Sequence, residues 1–143
     1  EKLHKLIDRH AGSVRVVTQP CPGLPEQVEA GALDSAETRV LVERYTAPLL
    51  AAGADVIVLG STHYPFLRPL IQRVVGPEVI LLDTGEAVAR RVESMLTANG
   101  EDLRADRVGP GSVEWFSSGA PRHMEEIGSR LWGLPLAAAQ LPV

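Results

Sequence analysis

The clearest candidates for chemistry are Ser61 and His63, which lie in the polar segment Gly60–Pro65 directly after an apolar run. Because they are two residues apart, their side chains would share one face of an extended segment. A serine beside a histidine suggests hydrolase chemistry, but neither a nucleophile elbow nor an acidic residue that orients the imidazole is evident. The alternative interpretation is a polar turn in which Thr62 and His63 bind backbone groups.

The apolar run before this segment, Val56–Leu59, is typical of a strand that is buried on both faces. In open α/β sheets, ligands bind at the carboxyl ends of the strands. Gly60 lies at that end and would let the backbone approach a ligand closely, since glycine has no side chain to obstruct the contact. The position therefore predicts that the segment forms one wall of a small-molecule pocket.

Strand and helix patterns alternate after this segment. Apolar residues at helical spacing predict a helix from Leu67 to just before Gly76 and another over Glu86–Leu96. Between them, Val79–Leu82 predicts a second buried strand. Alternating strands and helices imply a parallel sheet with helices on its faces. The predicted fold class is therefore α/β, with a parallel sheet of three or four strands flanked by helices.

Further elements are predicted on the amino-terminal side. The helical spacing of residues 1–10 predicts a helix. Further along, Val14–Val17 predicts a short strand and Glu26–Ala30 a short helix. Asp34 and Glu37 resemble an N-terminal capping box that opens a longer helix. The apolar side of that helix is predicted to carry four residues: Val40, Leu41, Tyr45 and Leu49.

The carboxy-terminal part is less regular. Glu101–Gly111 is polar and predicts a linker, Val113–Phe116 predicts a strand, and Pro121–Leu131 predicts a helix, whereas Leu134–Val143 shows no periodicity. One strand and one helix are too little for an independent domain. This part either packs against the first 100 residues or pairs with strands that lie upstream of Glu1.

Composition excludes several classes of function. The formal net charge of −4 argues against a nucleic-acid or anionic-membrane surface, and no apolar run approaches the roughly 18 residues that span a bilayer. Cys21 is the only cysteine, so neither an intrachain disulfide nor a cysteine-rich metal site is expected. A cytoplasmic protein fits best, and the start at Glu1, which is not methionine, predicts a chain that begins within a longer protein.

The segment Val58–Leu67 resembles the second signature of the glutamate racemases, whose pattern is Leu-Gly-Cys-Thr-His-Tyr-Pro. Related aspartate racemases generally carry glutamate at the place of His63, so this residue favours glutamate. Five other places agree with the family: Cys21-Pro22 followed by Val28-Glu29-x-Gly31, Tyr45 with Pro48-Leu49, Gly53-Ala54-Asp55, Asp83-Thr84-Gly85 to Ala89, and Phe116 to Gly119 near Pro121.

The resemblance implies a racemase that interconverts L- and D-glutamate with two cysteine bases and no metal or other cofactor. His63 would polarise the second cysteine or steady its thiolate, and Thr62 would bind the substrate with His63. Glu29 would position His63 or help to deprotonate the substrate amine. Ser61, His63 and Glu29 are therefore the expected catalytic positions, and the product D-glutamate would supply peptidoglycan.

The resemblance also implies a two-domain, pseudo-symmetric α/β protein of which this chain is the second half. Residues 1–84 would form most of the second domain. Residues 85–143 would form a crossover helix and a segment that completes the first domain. A homodimer is left open, and neither nucleic acid nor a membrane is expected as a partner.

Two departures from the family limit what the chain alone is expected to do. Ser61 stands where the family has its second catalytic cysteine, and a hydroxyl is a poor proton shuttle near neutral pH. Racemisation should therefore be lost or severely reduced in at least one direction, whether the serine is an engineered trap or a natural inactivation. The family's Asp-Ser-Gly motif and first catalytic cysteine are absent, and Cys21 is expected to be a buried filler.

The serine keeps a second interpretation open, in which the chain is a non-catalytic binding or interaction module for acidic amino acids on the racemase scaffold. A smaller alternative concerns Asp83-Thr84-Gly85, which could cradle a phosphate at a helix N-terminus. A strand-to-helix turn with Thr84 as the N-cap is the preferred interpretation, because a fuller glycine-rich fingerprint is missing.

Overall fold

The computed structural model describes residues 2–100 and 112–142, and the predicted linker Glu101–Gly111 lies outside them. The elements alternate between helix and strand in the middle of the chain, as predicted. In chain order they are α1 (Lys2–His10), α2 (Leu24–Glu29), α3 (Ala36–Ala51), β1 (Val56–Val58), a 3₁₀ helix (Tyr64–Leu67), α4 (Arg68–Val75), β2 (Ile80–Leu82), α5 (Gly85–Ala98), β3 (Trp115–Ser117), α6 (Pro121–Trp132) and β4 (Ala138–Gln140).

The strands form two small parallel sheets instead of one larger sheet. In the first, Val56 pairs with Ile80 and Val58 with Leu82, and in the second β3 pairs with β4. The predicted strand Val14–Val17 is wrong: within the described part of the chain this segment has no partner strand, and its valines are exposed. A β-branched run forms a strand only where a neighbour accepts its hydrogen bonds.

The prediction that β1 and β2 are buried on both faces is also wrong. Ile57 is 8% exposed and faces the core, whereas Val58 is 63% exposed. Leu81 is buried in the same way, and Ile80 is exposed. Successive side chains of a strand point to opposite faces, so only one apolar face of this sheet is covered by the described residues.

The N-cap of α3 and part of its buried side differ from the predictions. Its N-cap is Ser35 and not Asp34, since the Ser35 hydroxyl accepts a hydrogen bond from the Thr38 amide at 3.1 Å. Two threonines and Val42 are buried, whereas Val40 is exposed. The threonines tolerate burial because their hydroxyls donate to backbone carbonyls, Thr38 to Ala32 at 2.6 Å and Thr46 to Val42 at 2.8 Å.

The core lies between α2, α3, α4 and the inner face of the first sheet. Its members are aliphatic, as the low aromatic content requires: Leu24, Val28, Val42, Ile57, Leu59, Leu67, Leu70, Ile71, Val75, Val79 and Leu81. Helix α5 contributes no buried residue, and its apolar stripe of Val88, Val92 and Met95 is exposed. The predicted helix is confirmed, but its apolar side is not covered by the described residues.

The carboxy-terminal elements pack mainly on one another and touch the first part of the chain. Trp115 of β3 meets Trp132 of α6 edge to face, with ring centroids 5.3 Å apart. Leu131 of α6 packs against the main core. The tail that begins at Leu134, for which the sequence predicts no element, contains β4. Across residues 2–100 and 112–142, no helix is both long and apolar enough to cross a membrane.

Candidate active site

The candidate site lies at the carboxyl end of β1, in residues 60–63, here called the Ser61 loop. Beyond the strand, the Leu59 amide still donates to the Leu82 carbonyl at 2.7 Å, so the loop begins beside the end of β2. The 3₁₀ helix then leads to Leu67, which is fully buried. A paired strand on one side and a buried leucine on the other hold both ends of the Ser61 loop.

Ser61 and His63 lie together as their spacing predicts. The Ser61 hydroxyl oxygen is 3.4 Å from Nδ1 of His63, and it accepts a hydrogen bond from the His63 amide at 3.3 Å. The hydroxyl therefore faces the imidazole and is held by the backbone of its own loop. At 3.4 Å this contact is long for a hydrogen bond.

Glu29 supplies the acidic partner that is not evident from the local sequence. Its carboxylate oxygen Oε1 lies 3.1 Å from Nε2 of His63. Glu29 ends α2, and the preceding residue, Val28, is fully buried where α2 contacts the 3₁₀ helix. The packing of these two elements therefore brings together residues that are 34 positions apart in the chain.

The donors and acceptors of the three side chains indicate which ring nitrogen of His63 carries a proton. A carboxylate accepts only, so Nε2 of His63 carries the proton that is donated to Glu29. In the neutral ring, Nδ1 then has a free lone pair directed at the Ser61 hydroxyl. The arrangement can take a proton from residue 61, while the carboxylate stabilises the imidazolium that forms.

The site is open to solvent. The side chain of His63 is 33% exposed and that of Glu29 is 64% exposed, and Ser61 is half-buried. Exposed ion pairs typically contribute only about 0.2–1 kcal/mol to stability. The His63–Glu29 contact therefore orients the imidazole more than it stabilises the fold. Thr62 is exposed at the tip of the loop, next to Gly60, where an added Cβ would meet no atom within 4 Å.

Cys21 lies apart from this chemistry. It is partly buried against the core, and its thiol donates to the Gln19 carbonyl at 3.3 Å. Burial raises the pKa of the thiol, and a hydrogen bond with Tyr64 offsets only part of that effect. A thiol in such a setting stays protonated and unreactive near neutral pH. The environment of Cys21 fits the expected role of a small filler.

The turn after β2 is held by a pairing of Asp83 with Arg68 that sequence reasoning missed. Thr84 occupies the N-cap position of α5, but its side chain makes no capping hydrogen bond, which corrects the expected role. Asp83 accepts from the Gly85 amide at 2.9 Å, and Arg68 donates to Asp83 and to the Leu81 carbonyl, each at 2.9 Å. These bonds lower the pKa of Asp83 below its usual value, with Arg68 the larger cause and the Gly85 amide the second.

No group of three or more histidine, cysteine, aspartate or glutamate side chains in the described ranges has the arrangement of a metal site. The structure brings Ser61, His63 and Glu29 together and leaves Thr62 at the solvent edge of the same loop. Asp83 directly follows β2, and Arg68 reaches it from the start of α4. No local signal could have found this pair, because a sequence pattern does not measure the distance between two elements.

Comparison with known proteins relates the chain to one family of enzymes. No protein-family model matches the chain. A glutamate racemase from Herpetosiphon aurantiacus is 57% identical over 127 residues, which are 89% of this chain and 49% of that protein. The chain is related to the glutamate racemases. It spans about half the length of the curated relatives it matches.

Solved racemase structures share the fold. Glutamate racemase isoform RacE1 from Bacillus anthracis superimposes with a TM-score of 0.84 at 25% identity, over 99% of this chain and 52% of that protein. Glutamate racemase from Francisella tularensis, solved in complex with D-glutamate, gives a TM-score of 0.80 at 17% identity, over 97% of this chain and 52% of that protein. The α/β fold is therefore that of about half a racemase.

Proposed function

We propose that this chain is the carboxy-terminal half of a glutamate racemase scaffold and that the Ser61 loop forms one wall of its glutamate pocket. The observation that carries the proposal is His63 held between residue 61 and Glu29, in a chain 57% identical to a racemase. The Francisella racemase of the same fold was solved with D-glutamate bound. Thr62 and the backbone of the loop would bind the substrate with His63.

In a complete racemase, residue 61 would work as one of two bases on opposite faces of the substrate α-carbon. A cysteine there would pass its proton to Nδ1 of His63, and the Nδ1–H that results would stabilise the thiolate while the thiolate removes the α-proton. Glu29 would keep the imidazole in the tautomer that leaves Nδ1 free. The second base would come from a part of the racemase that this sequence does not contain. No metal or cofactor takes part in these steps.

Ser61 changes the expected outcome for the sequence as it stands. A serine hydroxyl is far less acidic than a thiol, whose ordinary pKa is about 8.5, so it shuttles a proton poorly near neutral pH. We expect this chain to bind glutamate without efficient racemisation. This is also what the second candidate, a non-catalytic binding module for acidic amino acids, requires, and Ser61 is the observation that favours it.

The division of the chain follows from the same proposal. Residues 1–84 would contribute most of one domain, and residues 85–143 would cross to the other domain, with the missing half covering the exposed face of the first sheet and α5. The whole enzyme would act in the cytoplasm, where D-glutamate is needed for peptidoglycan, and a homodimer is compatible with it. Its partners would be small acidic amino acids.

Turnover by a Ser61→Cys variant tests the racemase proposal. The variant is made in the longest natural form of the protein and supplied with L-glutamate, and D-glutamate is detected by a coupled assay. We expect the cysteine to raise turnover by several orders of magnitude over Ser61, with Ser118→Cys as the control that gives no gain. Absence of turnover in the Ser61→Cys form would overturn the racemase proposal.

Binding and exchange separate the racemase from the binding module. Calorimetry measures the affinity for glutamate, and proton NMR in deuterium oxide follows exchange at the α-carbon. Binding without exchange by the Ser61→Cys form would favour the binding module, and exchange would exclude it. Loss of glutamate binding on Glu29→Ala together with His63→Ala, with Glu114→Ala unaffected, is expected under both candidates.

A further inference from the structure

We propose that Ser61, His63 and Glu29 also form a nucleophilic triad, in which the Ser61 hydroxyl is acylated by activated esters and the acyl group is then released by water. This activity goes beyond proton transfer at an amino acid and belongs to the chain with its serine. It does not depend on the missing half of a racemase, because all three groups are present here.

The geometry carries the proposal. The hydroxyl oxygen of Ser61 lies 3.4 Å from Nδ1 of His63, and Nε2 of the same ring lies 3.1 Å from the Glu29 carboxylate. A nucleophile, a base and a third group that orients the base are the parts of a serine triad, which is recognised by geometry and roles and not by chain order. The local pattern around Ser61 shows no orienting carboxylate, the racemase resemblance implies Glu29 in that role, and the structure places Glu29 of α2 beside His63.

The three side chains are held by packed elements and open to a substrate. Ser61 follows β1, His63 leads directly into the 3₁₀ helix, and Glu29 ends α2. The buried residues Val28 and Leu67 anchor the last two elements against each other. Packed elements therefore fix both ends of the Ser61 loop, which limits how far Ser61 and His63 move relative to Glu29.

The reaction balances without any co-reactant except the ester and water. The Ser61 oxygen attacks the acyl carbonyl while its proton passes to Nδ1 of His63. The ester carbon–oxygen bond breaks, and the leaving oxygen departs with the proton from Nδ1. A water molecule then attacks the acyl-serine, giving one proton to Nδ1, which returns it to the Ser61 oxygen as the carboxylic acid leaves. Glu29 stays ionised and stabilises the transient imidazolium.

The open setting defines the class of substrate. Aryl esters with small acyl groups suit it, because a phenolate leaves easily and needs little protonation. Ser61 is half-buried and Thr62 is exposed, so a small acyl group needs little room to reach the hydroxyl.

The test uses this chain with nitrophenyl acetate and with a fluorophosphonate, followed by intact mass and peptide mapping. We expect one phosphonate per chain, on Ser61, and an ester hydrolysis rate above that of the unfolded chain. Ser61→Ala should abolish both signals, and Ser118→Ala, an exposed serine outside the triad, should leave them unchanged. Circular dichroism confirms that each variant is folded.

Glu29→Gln separates a triad from an isolated reactive serine. Loss of an orienting carboxylate costs up to about 10⁴-fold in an enclosed triad, and we expect a smaller loss, about 10- to 100-fold, at this exposed site. Labelling that persists in Ser61→Ala, or a rate that Glu29→Gln does not change, would overturn the triad. Racemisation by the Ser61→Cys form is measured separately, so either proposal can fail while the other stands.

Discussion

His63 is the residue on which the site depends, because each of its ring nitrogens has a different partner. Nδ1 faces the Ser61 hydroxyl and Nε2 faces the Glu29 carboxylate. This arrangement favours one tautomer of the neutral ring. The same tautomer is needed for a base that acts on a thiol at position 61 and for one that acts on a hydroxyl.

Nitrogen NMR of histidine-labelled protein tests this tautomer. With the ring neutral, we expect His63 to carry its proton on Nε2, because only that nitrogen has a carboxylate acceptor. Glu29→Ala should remove the bias and give a mixture of tautomers. His123, which is exposed on α6, is the control whose signals should not change. A proton on Nδ1 in the unmodified chain would contradict the proposed arrangement.

Residue-level prediction succeeds where partners are close in sequence. The contact of Ser61 with His63 follows from a spacing of two, whereas the contact with Glu29 depends on how α2 packs against the 3₁₀ helix. The place of Glu29 was expected only through the racemase resemblance. The pairing of Arg68 with Asp83 was not predicted, since nothing in a local pattern measures the distance between two elements.

At the scale of elements, hydrogen bonds from Arg68 connect the start of α4 to the end of β2. Its guanidinium bonds the Leu81 carbonyl and the Asp83 carboxylate, and Asp83 in turn caps α5. The three elements α4, β2 and α5 are thereby joined at the carboxyl end of β2. Asp83 replaces Thr84 as the capping side chain because its oxygen reaches the Gly85 amide.

The lowered pKa of Asp83 predicts a pH-dependent stability. A carboxyl whose pKa is lower in the folded state contributes stability above its unfolded pKa of about 3.9, and this contribution is lost as the pH falls through the folded pKa. Asp83→Asn should therefore be less stable than the unmodified chain at pH 7, with the gap narrowing below about pH 4.

Urea unfolding at several pH values measures this gap. Asp8→Asn, on an exposed position of α1, is the matched control and should show little difference from the unmodified chain at pH 7. A gap for Asp83→Asn that stays constant from pH 7 to pH 3 would show that the ion pair with Arg68 is not its cause.

Element prediction from pattern was right for the helices, including α1 and α6 near the two ends, and weaker for one strand and one helix cap. The helices after Leu67 and Glu86 are confirmed because their apolar spacing is strong. Val14–Val17 and the cap at Asp34 were wrong, since a strand needs a partner and several polar residues near a helix start compete to cap it. Burial of Thr38 in place of Val40 reflects backbone acceptors that only the folded helix provides.

At the scale of the whole molecule, the residues that the structure describes form one covered apolar surface and leave two others uncovered. The inner face of the first sheet is buried, whereas its outer face, with Val58 and Ile80, and the stripe on α5 are exposed. Parallel sheets normally have both faces covered. This agrees with a chain that matches about half the length of its racemase relatives.

Two alanine substitutions compare how much the buried core and the outer face of the first sheet contribute to the stability of this chain. Leu70→Ala in the buried core should cost about 2–5 kcal/mol of unfolding free energy. Val58→Ala, at a position 63% exposed, should change it by less than about 0.5 kcal/mol in this chain. Chemical unfolding of both variants provides the comparison, and equal losses would mean that the outer face is already covered.

The same Val58→Ala substitution should cost more in a longer form that contains the other racemase half. Unfolding of that form, with Leu70→Ala as the reference, measures the difference. An unchanged cost would contradict the proposal that the missing half covers the outer face of the sheet.

The amino-acid sequence by itself determined the α/β class, the place of the Ser61 loop after a strand, and the contact between Ser61 and His63. These depend on periodicity and on neighbours a few residues apart, which a linear pattern records. Only the tertiary structure decided that Glu29 meets His63, that Arg68 joins Asp83, and that one face of the sheet is exposed. Each of these is a distance between elements, and such distances are set by how side chains pack once the chain has folded.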